Sequence, residues 1–299
     1  MNPPSLLRYA WLSIAAALAT ILLKGVAWWL TGSVGLLSDA LESFVNLAGA
    51  CMALAMLSLA ARPADDEHRF GHGKAEYFSS AFEGGLILVA AASIGYASVL
   101  RLMDPQPLES VGAGLGVSVV ASIINLLVAR SLMSVGRQFN SITLEADAHH
   151  LMTDVWTSVG VIAGVGLVWL TGWLWLDPAI AILVAANIVW TGWQLLGRSA
   201  AGLMDASLSD EHLAGIEKVM AKYRATGLEF HALRTRQAGA RAFVTMHVLM
   251  PGQWTVHEGH EWLERIEADI REVVPRVHVI THMESLDDVA SHADRSLDR

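Results

Sequence analysis

Six long apolar stretches dominate the 299-residue chain, at about 9–31, 34–60, 78–101, 110–132, 143–172 and 177–197. A helix needs roughly 20 apolar residues to cross a bilayer, so each stretch predicts a transmembrane helix. Turn signals separate several of them: Thr31-Gly32-Ser33, Asp104-Pro105 with Pro107, and Asp177-Pro178. Past about residue 205 the pattern changes. Residues 209–224 predict a helix, and Leu228–Gln237 and Arg241–Met250 predict two strands flanking Ala238-Gly239-Ala240. The second strand alternates, with Phe243, Thr245, His247 and Leu249 on one face and Val244, Met246, Val248 and Met250 on the other. A helix over about 255–273 and a strand over 276–283 follow. The expected fold is membrane α-helical: six transmembrane helices within 1–204, a cytoplasmic α+β domain over 205–285, and a flexible polar tail over 286–299.

Composition agrees with this reading. Hydrophobic residues make up 54% of the chain and charged residues 16%, against about 25% charged in soluble domains; the mean hydropathy is +0.43. The loop after the second stretch carries Arg62, Arg69 and Lys74, and the loop after the fourth carries Arg130 and Arg137. The loops after the first and fifth carry no basic residue. The positive-inside bias puts the basic loops in the cytoplasm, and an even helix count puts both termini there. The part from about residue 205 onward holds eight of the twelve histidines and five more acidic than basic side chains. An acidic surface repels phosphate backbones, which argues against nucleic acid as a partner and for cations. The single cysteine, Cys51, excludes a disulfide framework and a Cys-rich zinc module.

Candidate chemistry lies inside the membrane stretches. The second contains Asp39, Glu42 and Asn46, and the fifth contains Asp147, His150 and Asp154, each set spaced i, i+3, i+7 on one helix face. A charged side chain near a helix centre costs about 3 kcal/mol. Two such faces sharing a cation offset that cost, and Glu42, Asn46, His150 and Asp154 supply four ligands suited to tetrahedral zinc or a similar divalent ion. The competing reading is hydrogen bonding between packed helices. Lys24 snorkels or pairs with an acid, a structural role.

Two clusters lie outside the membrane stretches. Asp65, His68 and His72 have ligand chemistry at close spacing, though a polar loop collects such residues by chance. His231, His247, His260 and His282 with Glu284 come from separate elements of the soluble part; they either converge or scatter over its surface. His257-Glu258-Gly259-His260 places its histidines at i and i+3, whereas the zinc-protease motif needs i and i+4.

Together these residues resemble the cation diffusion facilitator, or cation efflux, family over about 8–284. The most specific parts are Thr31-Gly32-Ser33-Val34, Ser38-Asp39-Ala40, Phe70-Gly71-His72-Gly73-Lys74-Ala75-Glu76, His150-x-x-x-Asp154 and His231-Ala232-Leu233-Arg234-Thr235-Arg236. The resemblance implies a homodimer in a bacterial inner membrane, with a metallochaperone-like cytoplasmic domain. It implies efflux of zinc, iron or related divalent ions in exchange for protons, with the metal as substrate and regulator, zinc foremost, and no organic cofactor. It implies a transport site at Glu42, Asn46, His150 and Asp154, a loop site at Asp65, His68 and His72, and a dimer-stabilising site at His231, His247, His260, His282 and Glu284. Lys74 and Asp205 match a charge interlock between protomers. The chain departs from the family pattern where Glu42, Asn46 and Glu284 stand in place of Asp or His, so Asp39 or His149 is an additional candidate ligand. No enzyme activity is expected. The alternatives are a membrane-bound metal sensor, which needs no charges on two facing membrane helices, and a membrane metallohydrolase, which needs a general base beside an open metal position.

Overall fold

The computed structural model describes residues 6–31, 34–104 and 112–292, without the side chains of 31–39 and 112–115. Six helices long and apolar enough to cross a membrane lie among the described residues: α1 (Leu7–Thr31), α2 (Val34–Ala60), α3 (Ala75–Met103), α4 (Gly112–Phe139), α5 (Ile142–Thr171) and α6 (Leu176–Leu203). The soluble elements follow as α7 (Asp210–Arg224), β1 (Glu229–Ala238), β2 (Arg241–Met250), α8 (Val256–Val273) and β3 (Val277–Ser285), then a 3-10 turn at Val289–His292. The turn occupies part of the tail expected to be loose; 293–299 lie outside the described residues.

The helices outrun the apolar stretches. α3 begins at Ala75, α4 continues to Phe139 and α6 to Leu203. Hydropathy marks only the part of a helix in hydrocarbon, whereas a formed helix extends at one hydrogen bond per added residue into polar sequence such as that around Arg130 and Arg137. The apolar surfaces that remain exposed, among them Trp29 at 78% and Trp169 at 84%, suit lipid. Small residues bring backbones close. Gly84 of α3 faces the Gly192 carbonyl and Leu196 of α6, while Gly192 faces Ile87 and Leu88. Ser199 donates to Ser80 at 2.8 Å across the same pair. Glu76, at the start of α3, accepts from Ser141 at 2.5 Å and holds the start of α5.

The chain divides into two compact units, 1–200 and 201–299. In the second, β1 pairs antiparallel with β2, and β3 pairs parallel with it after the α8 crossover, giving the order β1-β2-β3. Val244, Met246 and Val248 on one face of β2 pack with Ile216 of α7 and Ile266 and Ile270 of α8. Both helices carry side-chain caps. Ser209 accepts from the His212 N–H, and Thr255 with Glu258 forms a capping box, whose hydrogen bonds hold the Glu258 carboxyl below its ordinary pKa. Gly259 of α8 lies against the Met283 sulfur of β3, where any larger residue would collide.

Candidate metal centres

The membrane unit gathers its polar side chains where α2, α3, α4 and α5 meet. Asn46 of α2 donates through Nδ2 to Asp154 Oδ2 at 2.5 Å and presents Oδ1 to His150 Nε2 at 2.7 Å. Asn46, at 5% exposure, and His150, at 4%, are buried. Three of the four expected transport-site residues are therefore in direct contact. Glu42 lines a cavity of about 50 Å³ together with Asp154, Lys24, Asn125, Ser118 and Ser122. Asp39 is one of the residues whose side chains lie outside the described set. His149 points elsewhere, among Glu145, Arg137 and Arg198; its neighbour His150 lies about 100° away around the helix.

Two partners of this site were not anticipated. Asn125 of α4 donates to the same Asp154 oxygen at 2.9 Å. Glu83 of α3 sets its Oε2 3.4 Å from His150 Nδ1, and both carboxylate oxygens are buried without a hydrogen-bond partner among the described residues. Gly49 of α2 makes the room, since a Cβ there would strike the Glu83 carboxylate. A charged residue at the sixth position of the third apolar stretch was the available signal for Glu83. Asn125 shares one face of α4 with Ser118 and Ser122 at i, i+4, i+7 spacing, and that polar stripe was its available signal. Asp147 is buried beside Ser13 and Glu83, one turn from His150.

The arrangement constrains the chemistry. Asn46 Oδ1 only accepts, so His150 carries its hydrogen on Nε2. A metal ion taking the Nε2 lone pair requires the other tautomer, with the hydrogen on Nδ1, where Glu83 stands to receive it. For Asn46 to serve as a ligand as well, its oxygen would have to turn away from His150, so an ion bound here would replace internal hydrogen bonds.

In the loop, Asp65, His68 and His72 bring their ligand atoms within 4.8 Å of one another. Asp65 lies 3.5 Å from His68 Nδ1 and 3.4 Å from His72 Nε2. The His68 backbone N–H donates to Asp65 at 2.7 Å, and this bond above all holds the carboxyl below its ordinary pKa. Gly71, at φ 81°, supplies the left-handed turn that returns His72 to Asp65.

In the soluble unit, His231, His247 and His282 form one row across the sheet, because the β1–β2 register pairs His231 with His247 and the β2–β3 register pairs His247 with His282. His231 Nε2 lies 3.1 Å and His247 Nδ1 3.0 Å from the two Glu284 oxygens, and these three ligand atoms cluster within 4.8 Å. His282 Nε2 stands 3.6 Å from Glu284 Oε1. The scattered-surface reading therefore fails for four of the five residues. His260 is exposed on α8 and is not part of that ligand cluster. Asp205 pairs with Arg236 at 3.1 Å, and Lys74 occupies the N-cap of α3.

Comparison with known proteins places these centres in context. A model of the cation efflux transmembrane domain matches residues 10–204, and a model of the cation efflux protein cytoplasmic domain matches 208–286. An uncharacterized transporter of Synechocystis sp. is 53% identical over 283 residues, covering 95% of this chain and 91% of that protein. The cation-efflux pump FieF of Salmonella arizonae is 31% identical over 277 residues, covering 93% and 92%, and FieF of Salmonella schwarzengrund is 30% identical over the same length. The chain belongs to the cation efflux (cation diffusion facilitator) family, whose members are multi-pass membrane transporters of divalent cations and not enzymes.

Proposed function

We propose that this family member exports a divalent transition-metal ion, zinc or ferrous iron, from the cytoplasm of a bacterial cell in exchange for protons, as a homodimer in the inner membrane with both termini cytoplasmic. The observation that carries the reading is the contact of Asn46, His150 and Asp154 inside the helix bundle, beside a cavity lined by Glu42. Four N and O donors suit a borderline divalent ion at tetrahedral geometry. Because each donor binds either a proton or hydrogen-bond partner or the metal, metal and proton compete for the same lone pairs, and that competition couples their movement. The ion enters from the cytoplasm, the helices tilt, and the ion leaves on the far side as protons return.

The other two centres have regulatory parts in this proposal. Asp65, His68 and His72 take metal at the cytoplasmic loop. His231, His247, His282 and Glu284 hold metal in the soluble domain and stabilise the dimer, while Lys74 and Asp205 interlock the protomers. A sensor would not need Glu42 and Asp154 in the membrane. The test is metal-stimulated proton flux in vesicles containing the purified protein, measured ion by ion. Flux with zinc or ferrous iron and none with calcium is expected; a tight seal to protons with every transition metal overturns the proposal.

A further inference from the structure

The membrane unit buries two carboxyls that the transport site does not use as ligands. Glu83 of α3 is 0% exposed and Asp147 of α5 is 1% exposed, and they lie close enough to repel one another when both are charged. No lysine or arginine pairs with either among the described residues. Both Glu83 oxygens and Asp147 Oδ2 are buried without a hydrogen-bond partner there. Two further buried groups face the pair. Ser13 Oγ of α1 is turned to the Asp147 carboxyl without closing a hydrogen bond, and His150 Nδ1 stands 3.4 Å from Glu83 Oε2. Buried charges are ordinarily paired or bound to a metal. A carboxyl pair walled by an unsatisfied hydroxyl and an unsatisfied imidazole nitrogen therefore has the chemistry of a cation site.

We propose that Glu83 and Asp147, with Ser13, form a second cation station in the membrane unit, which holds a divalent transition-metal ion on its way from the cytoplasm to the transport site. The inference rests on the reading of His150 and Asp154 as transport-site ligands. Two carboxylates balance the charge of such an ion. Their position fits a stage before the transport site. Asp147 precedes His150 by three residues, about 4.5 Å along the axis, toward the α5 end that follows the basic loop assigned to the cytoplasm. Buried polar residues lead back to that end on both helices: Glu76, Ser79 and Glu83 at i, i+3, i+7 on α3, and Thr143, Asp147 and His150 at i, i+4, i+7 on α5. The two tracks start together, where Glu76 accepts from Ser141 at 2.5 Å. Carboxylate and hydroxyl oxygens hold a borderline ion more loosely than a site built on imidazole Nε2. That suits a stage, since the ion must bind well enough to enter and weakly enough to leave. Once the ion has moved on to His150 Nε2, Glu83 is released to accept the hydrogen on Nδ1, so one carboxylate serves both steps.

The station is read by counting zinc ions in the full-length chain after the other two centres are removed. His68→Ala, His72→Ala, His231→Ala, His247→Ala and His282→Ala are combined as the background, and each protein is checked for monodispersity by size exclusion before zinc titration calorimetry. The background is expected to bind a tight ion and a second ion at least about tenfold more weakly. Adding Asp147→Asn or Asp147→Ser removes the weak ion and leaves the tight one within about threefold; the retained tight ion shows that the bundle is intact. Adding Asp154→Ala instead removes the tight ion and leaves the weak one. A background that binds a single ion up to millimolar zinc overturns the station and leaves protons as the occupants of Glu83 and Asp147. A weak ion that survives both Asp147 variants, or the loss of both ions together in both, overturns it as well. A tight ion indifferent to Asp154→Ala refutes the transport-site reading instead, and is thereby distinguished from a failure of the station.

Discussion

The membrane site and the histidine row of the soluble sheet use similar donors in opposite states. At the row, His231, His247 and Glu284 turn their ligand atoms toward one another at 3.0–3.2 Å, the two imidazoles sharing a hydrogen bond, and Glu284 Oε2 has no hydrogen-bond partner among the described residues. The register of three paired strands sets that geometry. At the membrane site, Asn46 is engaged on both atoms, to Asp154 and to His150, and the donors come from separate helices. A site that must release its ion in every cycle gains from hydrogen bonds that compete with it. A site that holds the ion as part of the structure gains from donors already converged.

The comparison breaks most sharply at Asp154. Asp154→Ala removes the carboxylate that accepts from the Asn46 amide, and transport in vesicles is expected to fall by a hundredfold or more, beyond the roughly ten- to hundredfold that losing an outer-shell partner costs. Wild-type flux in a purified, monodisperse Asp154→Ala protein would sink the assignment. Glu83 sharpens the comparison because the soluble row has no counterpart to it. Glu83→Leu should weaken metal binding by about ten- to hundredfold through loss of the acceptor for His150 Nδ1. Glu83→Gln, whose carbonyl still accepts, should retain most of the affinity. Equal losses in the two variants, read by titration calorimetry, would point to the negative charge and away from the hydrogen bond.

Metal removal tests the other side. A chelator should lower the thermal midpoint of the soluble unit in the full chain by the stabilisation the ion supplied, about 2.7 kcal/mol at a hundred times the dissociation constant, and His231→Ala should abolish the difference. A midpoint indifferent to chelation would mean that the row holds no structural ion. The smallest effect belongs to the loop. The Asp65 pKa is lowered in the folded protein, so its contribution is fully present above the ordinary carboxylate range and is lost only as pH falls through the depressed folded value. Between pH 8 and pH 7 the Asp65 carboxylate therefore remains charged, and Asp65→Asn should reduce capture of metal at the loop by a similar few-fold factor at both ends of that range. A mutational effect present only at pH 8 would contradict the bonding seen there.

Much of the fold was legible because hydropathy and periodicity are local. The stretch at 34–60 coincides with α2, and Arg241–Met250 coincides with β2 to the residue. The helix ends beyond the hydrocarbon were not legible, because polar sequence at 133–139 and 198–203 reads the same in helix and in loop. Glu42, Asn46, His150 and Asp154 stood out by spacing on two helices. That His231, His247 and His282 form a row also depended on register, which is long-range: a one-residue slip would send each histidine to the opposite face.

Taken alone, then, the chain determined six spans, a soluble α+β end and the residue types of three candidate centres, since burial of apolar length and ligand chemistry are properties of segments. Tertiary structure decided which donors meet. It joined Asn125 and Glu83 to the membrane site, set Lys24 beside Glu42 and Asp154, and left His149 and His260 apart from the clusters near them. The physical reason is that a side chain's partner depends on which helix faces or strands pack together, and that follows from small residues such as Gly49 and Gly84 at contacts far away in sequence.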